Sequence, residues 1–441
     1  MLKLFNSDGK KLELFEPLKD KRIGIYVCGP TVYSSDHLGQ ARTWIFFDWL
    51  RRYLTLSGFK VKFVQNITDV GHLVGDAETG EDKIEKEAKA KNKKPEEIAR
   101  RFEAEHFKDL EALNILRPNI TPRATEHISD MVNFIETLIK KKNAYVVSGN
   151  VYFDVASFTD YGKFSGRKID EEKIGSRVKV DKKKKNPADF VLWLKADSSH
   201  LQKWPSPWGE GYPGWHIECS VIASRYLGQP FEIHGGGADL KFPHHENEIA
   251  QSVATTGKPL AKYWLHGGML LINGQKMAKS LGNFITIKDA LAKYDPDTIK
   301  IAFMSTHWRK PFNWEKSAVS EAKKIRERLV RAKEQSQAII TGYKTEINVA
   351  LENDFNVPQV LAVVMKNISK LSRDDFRYFE ELFGLKLKEA VRLTPKQEKL
   401  YQERITARQE GNYQKADEIR KNLEKQGVML EDTPMGTRIY K

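Results

Sequence analysis

The sequence predicts an α/β fold: a Rossmann-like parallel-sheet domain split by an insertion and followed by a mostly α-helical C-terminal region. Three observations predict it. Strand-like and helix-like segments alternate over the first ~115 residues and return near 216–305. Between them, residues 143–200 carry a different, strand-and-polar-loop pattern. From about 317 to about 426 the apolar spacing is almost purely helical.

The elements follow in order. The apolar run RIGIYVC (Arg22–Cys28) reads as a buried strand, and ARTWIFFDWLRRYLTLS (41–57) as an amphipathic helix. That helix stops at Gly58, a residue suited to the left-handed closing position. KVKFVQNIT then returns as a strand, so the three form a parallel β-α-β unit with a right-handed crossover. Helices are predicted at 95–114, with Pro95 at the start and Ile98, Phe102, Leu110 and Leu113 inward, and at 122–142, with Ile128, Met131, Ile135 and Leu138 on one face. YVVSGNVYFDV alternates like a strand inside the insertion. FEIHGG and GGMLLING read as strands, a helix starts at Pro243, and VMLEDTPMGTRIYK closes the chain as a strand-like tail. The expected divisions are 1–120 and 211–305 for the two halves of the sheet domain, 121–210 for the insertion, and 306–340 and 341–441 for the helical end.

At 441 residues, about 150 per domain gives about three structural units. Nine Trp and 22 Phe supply a large core, and no apolar run approaches the ~18 residues of a membrane span. The opening MLKLFNSDGKKLELF lacks the apolar stretch of a secretory signal. Two distant cysteines then favour reduced thiols and a cytoplasmic location. The net charge of +14 points to a polyanionic partner. It is spread along the chain, and its one dense run, Lys182–Lys185, reads either as a solvated loop or as a phosphate contact.

Three segments carry candidate chemistry. With Pro243 at a helix start, His244 and Glu248 fall four apart on one face, a spacing that offers two ligands to one ion. Cys28 and Cys219 would complete a set of two thiolates, an imidazole and a carboxylate, which suits zinc. The alternative is a buried free thiol and a surface His and Glu, because spacing alone does not bring the cysteines together. In GPTVYSSDHLGQART, His37 and Gly39 lie just ahead of the 41–57 helix, whose N-terminus can receive a nucleotide phosphate. In GQKMAKSLGNF, Lys276 and Lys279 are three apart, suited to a departing pyrophosphate or else simply a basic turn.

Together these segments resemble a known family. HLGQ and KMAKS, in this order on a split β/α domain, resemble the HIGH and KMSKS signatures of class I aminoacyl-tRNA synthetases. The resemblance is to the cysteinyl-tRNA synthetases, through YVCGPTVY, NITDVGH, YGKFSGR, SPWGEGYPGWHIECS, EIHGGGADLKFPHHENEIAQS, KMAKSLGNF and DTPMGTR.

The resemblance implies a cysteine–tRNA ligase that forms cysteinyl-adenylate from L-cysteine and ATP, with Mg2+ accompanying ATP, and then charges the terminal adenosine of tRNA(Cys). One Zn2+ per chain would sit on Cys28, Cys219, His244 and Glu248 and bind the substrate sulfur, rejecting serine without editing. Thr68, Trp215, His216 and His234 would meet the amino acid, with His245 behind them. His37, Gly39, Gly235, Gly236, Gly237, Asp239 and Lys279 would meet ATP, while His37, Gln40, Lys276 and Lys279 would act on the phosphates. STHWRKPFNW, with Arg309 and Lys310, implies a stem contact or a packed junction, and the last ~110 residues an anticodon-binding domain, all on a monomer. Two departures stand out. Gln40 replaces the second His of HIGH and cannot carry a positive charge, and Ala278 lacks the hydroxyl of the first Ser of KMSKS. A cysteine ligase acting on an amino sugar, and an RNA-binding relative without catalysis, are the other readings.

Overall fold

The computed structural model describes residues 1–71, 73, 81–167, 184–278, 281–337, 342–388, 393–433 and 436–440. The chain opens with an antiparallel hairpin, β1 (Lys3–Asn6) and β2 (Lys11–Leu14), which no sequence signal singled out. The expected parallel unit follows as β3 (Arg22–Val27), α1 (Leu38–Leu56) and β4 (Lys60–Gln65), with Ile25 opposite Phe63. Next come α2 (Lys83–Lys91), which the sequence reading left out, and α3 (Pro95–Ala112). The helix expected at 122–142 is shorter: a 3₁₀ turn occupies Ala124–His127, and α4 runs Ile128–Lys140.

Four antiparallel strands then form their own sheet: β5 (Ala144–Val147), β6 (Asn150–Phe153), β7 (Phe190–Lys195) and β8 (Gly211–Pro213). Met131, Ile135 and Leu138 of α4 share its core with Val151, Phe153 and Trp193. The chain returns to the parallel sheet through α5 (Trp215–Leu227), β9 (Phe231–Gly237), α6 (His244–Thr256) and β10 (Ala261–Gly267). The completed sheet has the order β10-β9-β3-β4 with every neighbour parallel. A small sheet of β11 (Leu270–Ile272), β12 (Gln275–Lys276) and β13 (Phe312–Trp314) adjoins it, with α7 (Ile287–Lys293) and α8 (Pro296–Met304) between its strands. The helical end comprises α9 (Lys316–Gln335), α10 (Tyr343–Glu352), α11 (Val357–Lys366), α12 (Arg373–Phe383), α13 (Pro395–Gln409) and α14 (Tyr413–Lys425). It closes in the hairpin β14 (Met429–Thr433) and β15 (Gly436–Tyr440). Among the described residues, no helix is long and apolar enough to cross a membrane.

Strand alternation explains how the sheet is covered. Ile23, Ile25 and Val27 join Ile45 and Phe47 of α1 in the largest core. Tyr26 faces the other way and clusters with Cys219, Ile222 and Ala223 of α5, with Cys28 packed against them. The ends of the parallel strands therefore open between two helical layers, where α/β sheets bind ligands.

One helix terminus carries several of the bonds between the helical end and this domain. Gly384 closes α12 in the left-handed region (φ 60°), leaving the last carbonyls of α12 in need of donors. Trp49 Nε1 donates to Phe383 O at 3.0 Å, and Arg52 donates to Glu381 O at 3.1 Å. Asn114 Nδ2 donates to Gly384 O at 2.7 Å. The fully buried Lys300 donates to Asn114 O (3.1 Å), Phe383 O (3.3 Å) and Gly384 O (3.0 Å). Burial pulls the Lys300 ammonium down to about 8, so at neutral pH it remains a cation beside the negative end of the helix dipole. Lys300→Met keeps the stem and strips three carbonyls of their shared donor. A loss of about 1–3 kcal/mol in urea unfolding is expected, and a variant as stable as the parent would show that the knot contributes nothing.

Candidate active site

Cys28 follows the end of β3, Cys219 lies on α5, and His244 and Glu248 lie one turn apart on α6. Pro243 occupies the N-cap of α6, one position earlier than expected, which leaves the His244–Glu248 spacing intact. The two sulfurs, 191 positions apart in the chain, stand 3.9 Å from each other. One ligand atom from each of Cys28, Cys219, His244 and Glu248 lies within 4.8 Å of all the others. Just after Cys28, Gly29 lets the chain pass close to the residue that follows β4: a Cβ there would stand 1.7 Å from Asn66 O.

A second set, Cys28, His234, His245 and Glu248, meets the same distance limit. In it His245 is engaged through both ring nitrogens and His234 through Nε2, with His234 Nδ1 making no hydrogen bond among the described residues. His234 Nε2 contacts Glu248 Oε2 at 2.7 Å, and His245 lies between Cys28 Sγ at 3.3 Å and His266 Nε2 at 2.8 Å. His266 Nδ1 in turn meets Ser7 Oγ at 2.8 Å. In the first set, His244 Nδ1 meets His216 Nδ1 at 2.9 Å, which directs Nε2 towards Glu248 Oε1, 3.1 Å away. That oxygen is buried and makes no hydrogen bond among the described residues. Two sulfurs, one anchored imidazole and one unsatisfied carboxylate oxygen fit a soft divalent ion, and zinc best of the common ones.

Burial pushes the Cys28 thiol and the Glu248 carboxyl well up, and pulls His234 down to about 3. His245 is held low by burial and then by His234 and His266. The protein alone thus keeps these groups neutral, and a bound cation would reverse that preference at the sulfurs.

The other amino-acid candidates surround this cluster. Trp215 stacks on His244 with ring centres 4.3 Å apart. Thr68 follows β4, where its hydroxyl donates to Glu218 Oε2 at 2.8 Å and accepts from Asn66 Nδ2 at 3.0 Å. Asn66 Oδ1 also accepts from Gly29 N–H at 2.9 Å. Asn66, Glu218, His266 and Ser7 escaped the sequence reading. Asn66, Glu218 and His266 adjoin recognised positions or strand ends, but nothing in the sequence marks Ser7, 259 positions from His266.

The nucleotide candidates lie along the same edge. The helix expected from residue 41 starts at Leu38, so His37 is its N-cap. The physical reason is a capping box: His37 Nδ1 accepts from Gln40 N–H at 3.2 Å, and Gln40 Oε1 accepts from His37 N–H at 2.9 Å. Gln40, the departure from HIGH, therefore spends its carbonyl on the helix start. A Cβ at Gly39 would stand 3.4 Å from Met277 Cε, and the His37 ring lies edge-on to Phe284 at 5.4 Å, so the HLGQ and KMAKS segments touch. A Cβ at Gly235 would reach 1.9 Å from Phe47 Cζ, and those at Gly236 and Gly237 would crowd Leu240 and Asp239. Lys276 is exposed on β12. Asn283 braces the loop, donating to Lys276 O at 3.1 Å and accepting from Ala278 N–H at 2.9 Å. Lys279 lies outside the described residues, as do residues 182 and 183 of the lysine run.

Comparison with solved structures fits this architecture. Mycobacterium tuberculosis methionyl-tRNA synthetase bound by methionyl-adenylate has a TM-score of 0.58 at 14% identity, covering 82% of this chain and 88% of that one. A likeness at that identity concerns the fold alone. The family described as "tRNA synthetases class I (C) catalytic domain" matches residues 14–324. The cysteine--tRNA ligase of Carboxydothermus hydrogenoformans is 41% identical, over 99% of this chain and 99% of the relative. That of Geobacillus sp. is 42% identical, over 99% and 98%. The chain belongs to the cysteinyl-tRNA synthetase family.

Beneath the HLGQ start, Asp36 Oδ2 meets His106 Nδ1 at 2.7 Å, and Asp109 lies buried nearby, its Oδ2 making no hydrogen bond among the described residues. Burial, then Asp36 and Glu105, push Asp109 from 3.8 to about 7. A carboxyl raised on folding holds its proton longer in the native state, so its stabilising share is lost as pH rises from about 4 to 7. Asp109→Asn is therefore expected to raise the thermal midpoint at pH 8 and to leave it unchanged near pH 4. An equal effect at both values would contradict the assignment.

Proposed function

We propose that the chain activates L-cysteine with ATP and transfers it to tRNA(Cys), selecting its substrate through a zinc centre on Cys28, Cys219, His244 and Glu248. The observation that carries this reading is the convergence of two thiols, an imidazole and a carboxylate at the open end of the parallel sheet. Bound there, zinc would supply a soft Lewis-acid centre that holds a thiolate far better than a hydroxyl.

The chain's own groups would do the rest. His216 holds the outer nitrogen of His244, and Trp215 covers that ring. Thr68, its proton committed to Glu218, presents an acceptor towards the amino acid. His234, bonded to Glu248, fixes the carboxylate from behind. The Gly235–Gly237 edge and Asp239 would admit the adenosine. With its ring nitrogen Nδ1 accepting from Gln40, His37 carries its proton on Nε2 and can donate to a phosphate oxygen. Gly39 lets the nucleotide approach the N-terminus of α1. Lys276, with Lys279 of the same KMAKS segment, would neutralise the pyrophosphate and its Mg2+ complex as it departs.

Residues 306–340 would meet the tRNA stem and 341–441 the anticodon, in keeping with a net charge of +14. We place the protein in the cytoplasm as a monomer. Cysteine-dependent pyrophosphate exchange and charging of tRNA(Cys) are the test. Metal-replete protein should exchange with cysteine and not with serine. His244→Ala should lose its stoichiometric zinc and at least about 100-fold of the exchange rate. Equal activation of serine, or full activity without metal, would overturn the zinc reading.

A further inference from the structure

We infer that Tyr26 is a positioning residue of the metal centre, its hydroxyl donating a hydrogen bond to the Cys219 sulfur when that sulfur is a metal-bound thiolate. The inference rests on the zinc reading above and assigns a role to the tyrosine that opens the YVCGPTVY segment.

The geometry comes from β3. Tyr26 precedes Cys28 by two residues and so projects from the same face of the strand. It pairs in register with His234 on β9, and the two rings meet edge-on at 5.1 Å. Its neighbours include Phe231, Ile222, Ala223 and Cys219. The side chain is fully buried, and its hydroxyl makes no hydrogen bond among the described residues. Of the two sulfurs, Cys219 is a buried member of the same cluster as Tyr26, and Cys28 packs against that cluster.

A buried hydroxyl without a partner destabilises a fold, and a core position that needed only the ring would be better served by Phe. The partner follows from sulfur chemistry. A neutral thiol is a weak acceptor, whereas a thiolate accepts a charge-assisted hydrogen bond. Metal binding removes the thiol proton to solvent and creates that acceptor. The donated hydrogen bond then fixes the sulfur's position and draws charge from it, as donors behind metal ligands do.

Tyr26→Phe removes one oxygen and nothing else. Three measurements on the full chain test the role: Zn2+ affinity against a chromophoric chelator, the melting midpoint of metal-free protein, and the absorption spectrum of Co2+-loaded protein. Affinity should fall about 10- to 100-fold, the metal-free midpoint should hold or rise, and the Co2+–thiolate charge-transfer band should shift. Wild-type affinity with an unshifted band would overturn the inference. So would a metal-free midpoint that falls in the variant, since that places the hydroxyl in packing. If the parent protein bound no Zn2+ at all, the zinc reading itself would fall, and that result is distinct from a variant that binds as the parent does.

Discussion

Parallel pairing of β3 with β9 sets the position of every group in the site. The two strands come from opposite sides of the insertion and meet at Ile25–Ile233, Tyr26–His234 and Val27–Gly235. Just beyond, Cys28 N–H donates to Gly235 O at 3.2 Å, so one backbone hydrogen bond joins the sulfur end of the crevice to its glycine edge. A slip of one residue would turn Tyr26 and Cys28 to the α1 face and leave Cys219 with no sulfur beside it. Nothing local prevents such a slip. The burial of Ile23, Ile25 and Val27 against α1 does, because that face accepts only apolar side chains.

Helix α1 carries this constraint outward. Its start holds His37 and Gln40, and its second turn sends Arg42 into four carbonyls, those of Gly268, Met269, His307 and Lys310. Its last turns send Trp49 and Arg52 to the end of α12. One rigid element thus touches the HLGQ start, the junction of the small sheet and the helical end. The expected junction role of STHWRKPFNW has its counterpart in the His307 and Lys310 carbonyls bonded to Arg42, and in Arg309, whose Nε donates to Asp354 Oδ2 at 2.7 Å. Burial holds the Arg42 guanidinium down to about 10, and the carbonyls that meet its two terminal nitrogens offset the cost of placing it there.

Much of this was legible in the sequence, and what was not has a physical reason. The run Arg22–Cys28 read as a strand because strands covered on both faces are largely apolar, and 60–65 because KVKF alternates polar and apolar residues. Helix α1 was legible from its apolar stripe, but its first turn was not, since histidine is an uncommon cap and the Gln40 bond is visible only in three dimensions. The hairpin of β1 and β2 is short and polar, so its periodicity is lost in the charge of the N-terminal residues. His244 and Glu248 announced their shared face by spacing alone. The meeting of Cys28 with Cys219 did not, because it depends on strand order, which no local pattern encodes. Ser7 is the extreme case: its place beside His266 is set by where the N-terminal hairpin docks, with Ser7 N–H donating to Trp264 O at 2.9 Å.

The crevice joins two environments that a single solvent could not provide together. At the sulfur end, His234, His244, Cys219 and Glu248 are almost wholly buried, and the low dielectric that keeps them neutral also strengthens any bond to a cation. At the other end, the start of α1 and the exposed Lys276 offer positive potential that water and salt can screen, which suits a polyphosphate that must arrive and leave. Only the few residues from Cys28 to Gly39 separate these regimes on the first half of the chain, and only His234 to Gly237 on the second. A substrate that places its sulfur in the dry end and its carboxylate beside the phosphates has to lie along that edge, and strand pairing fixes its length.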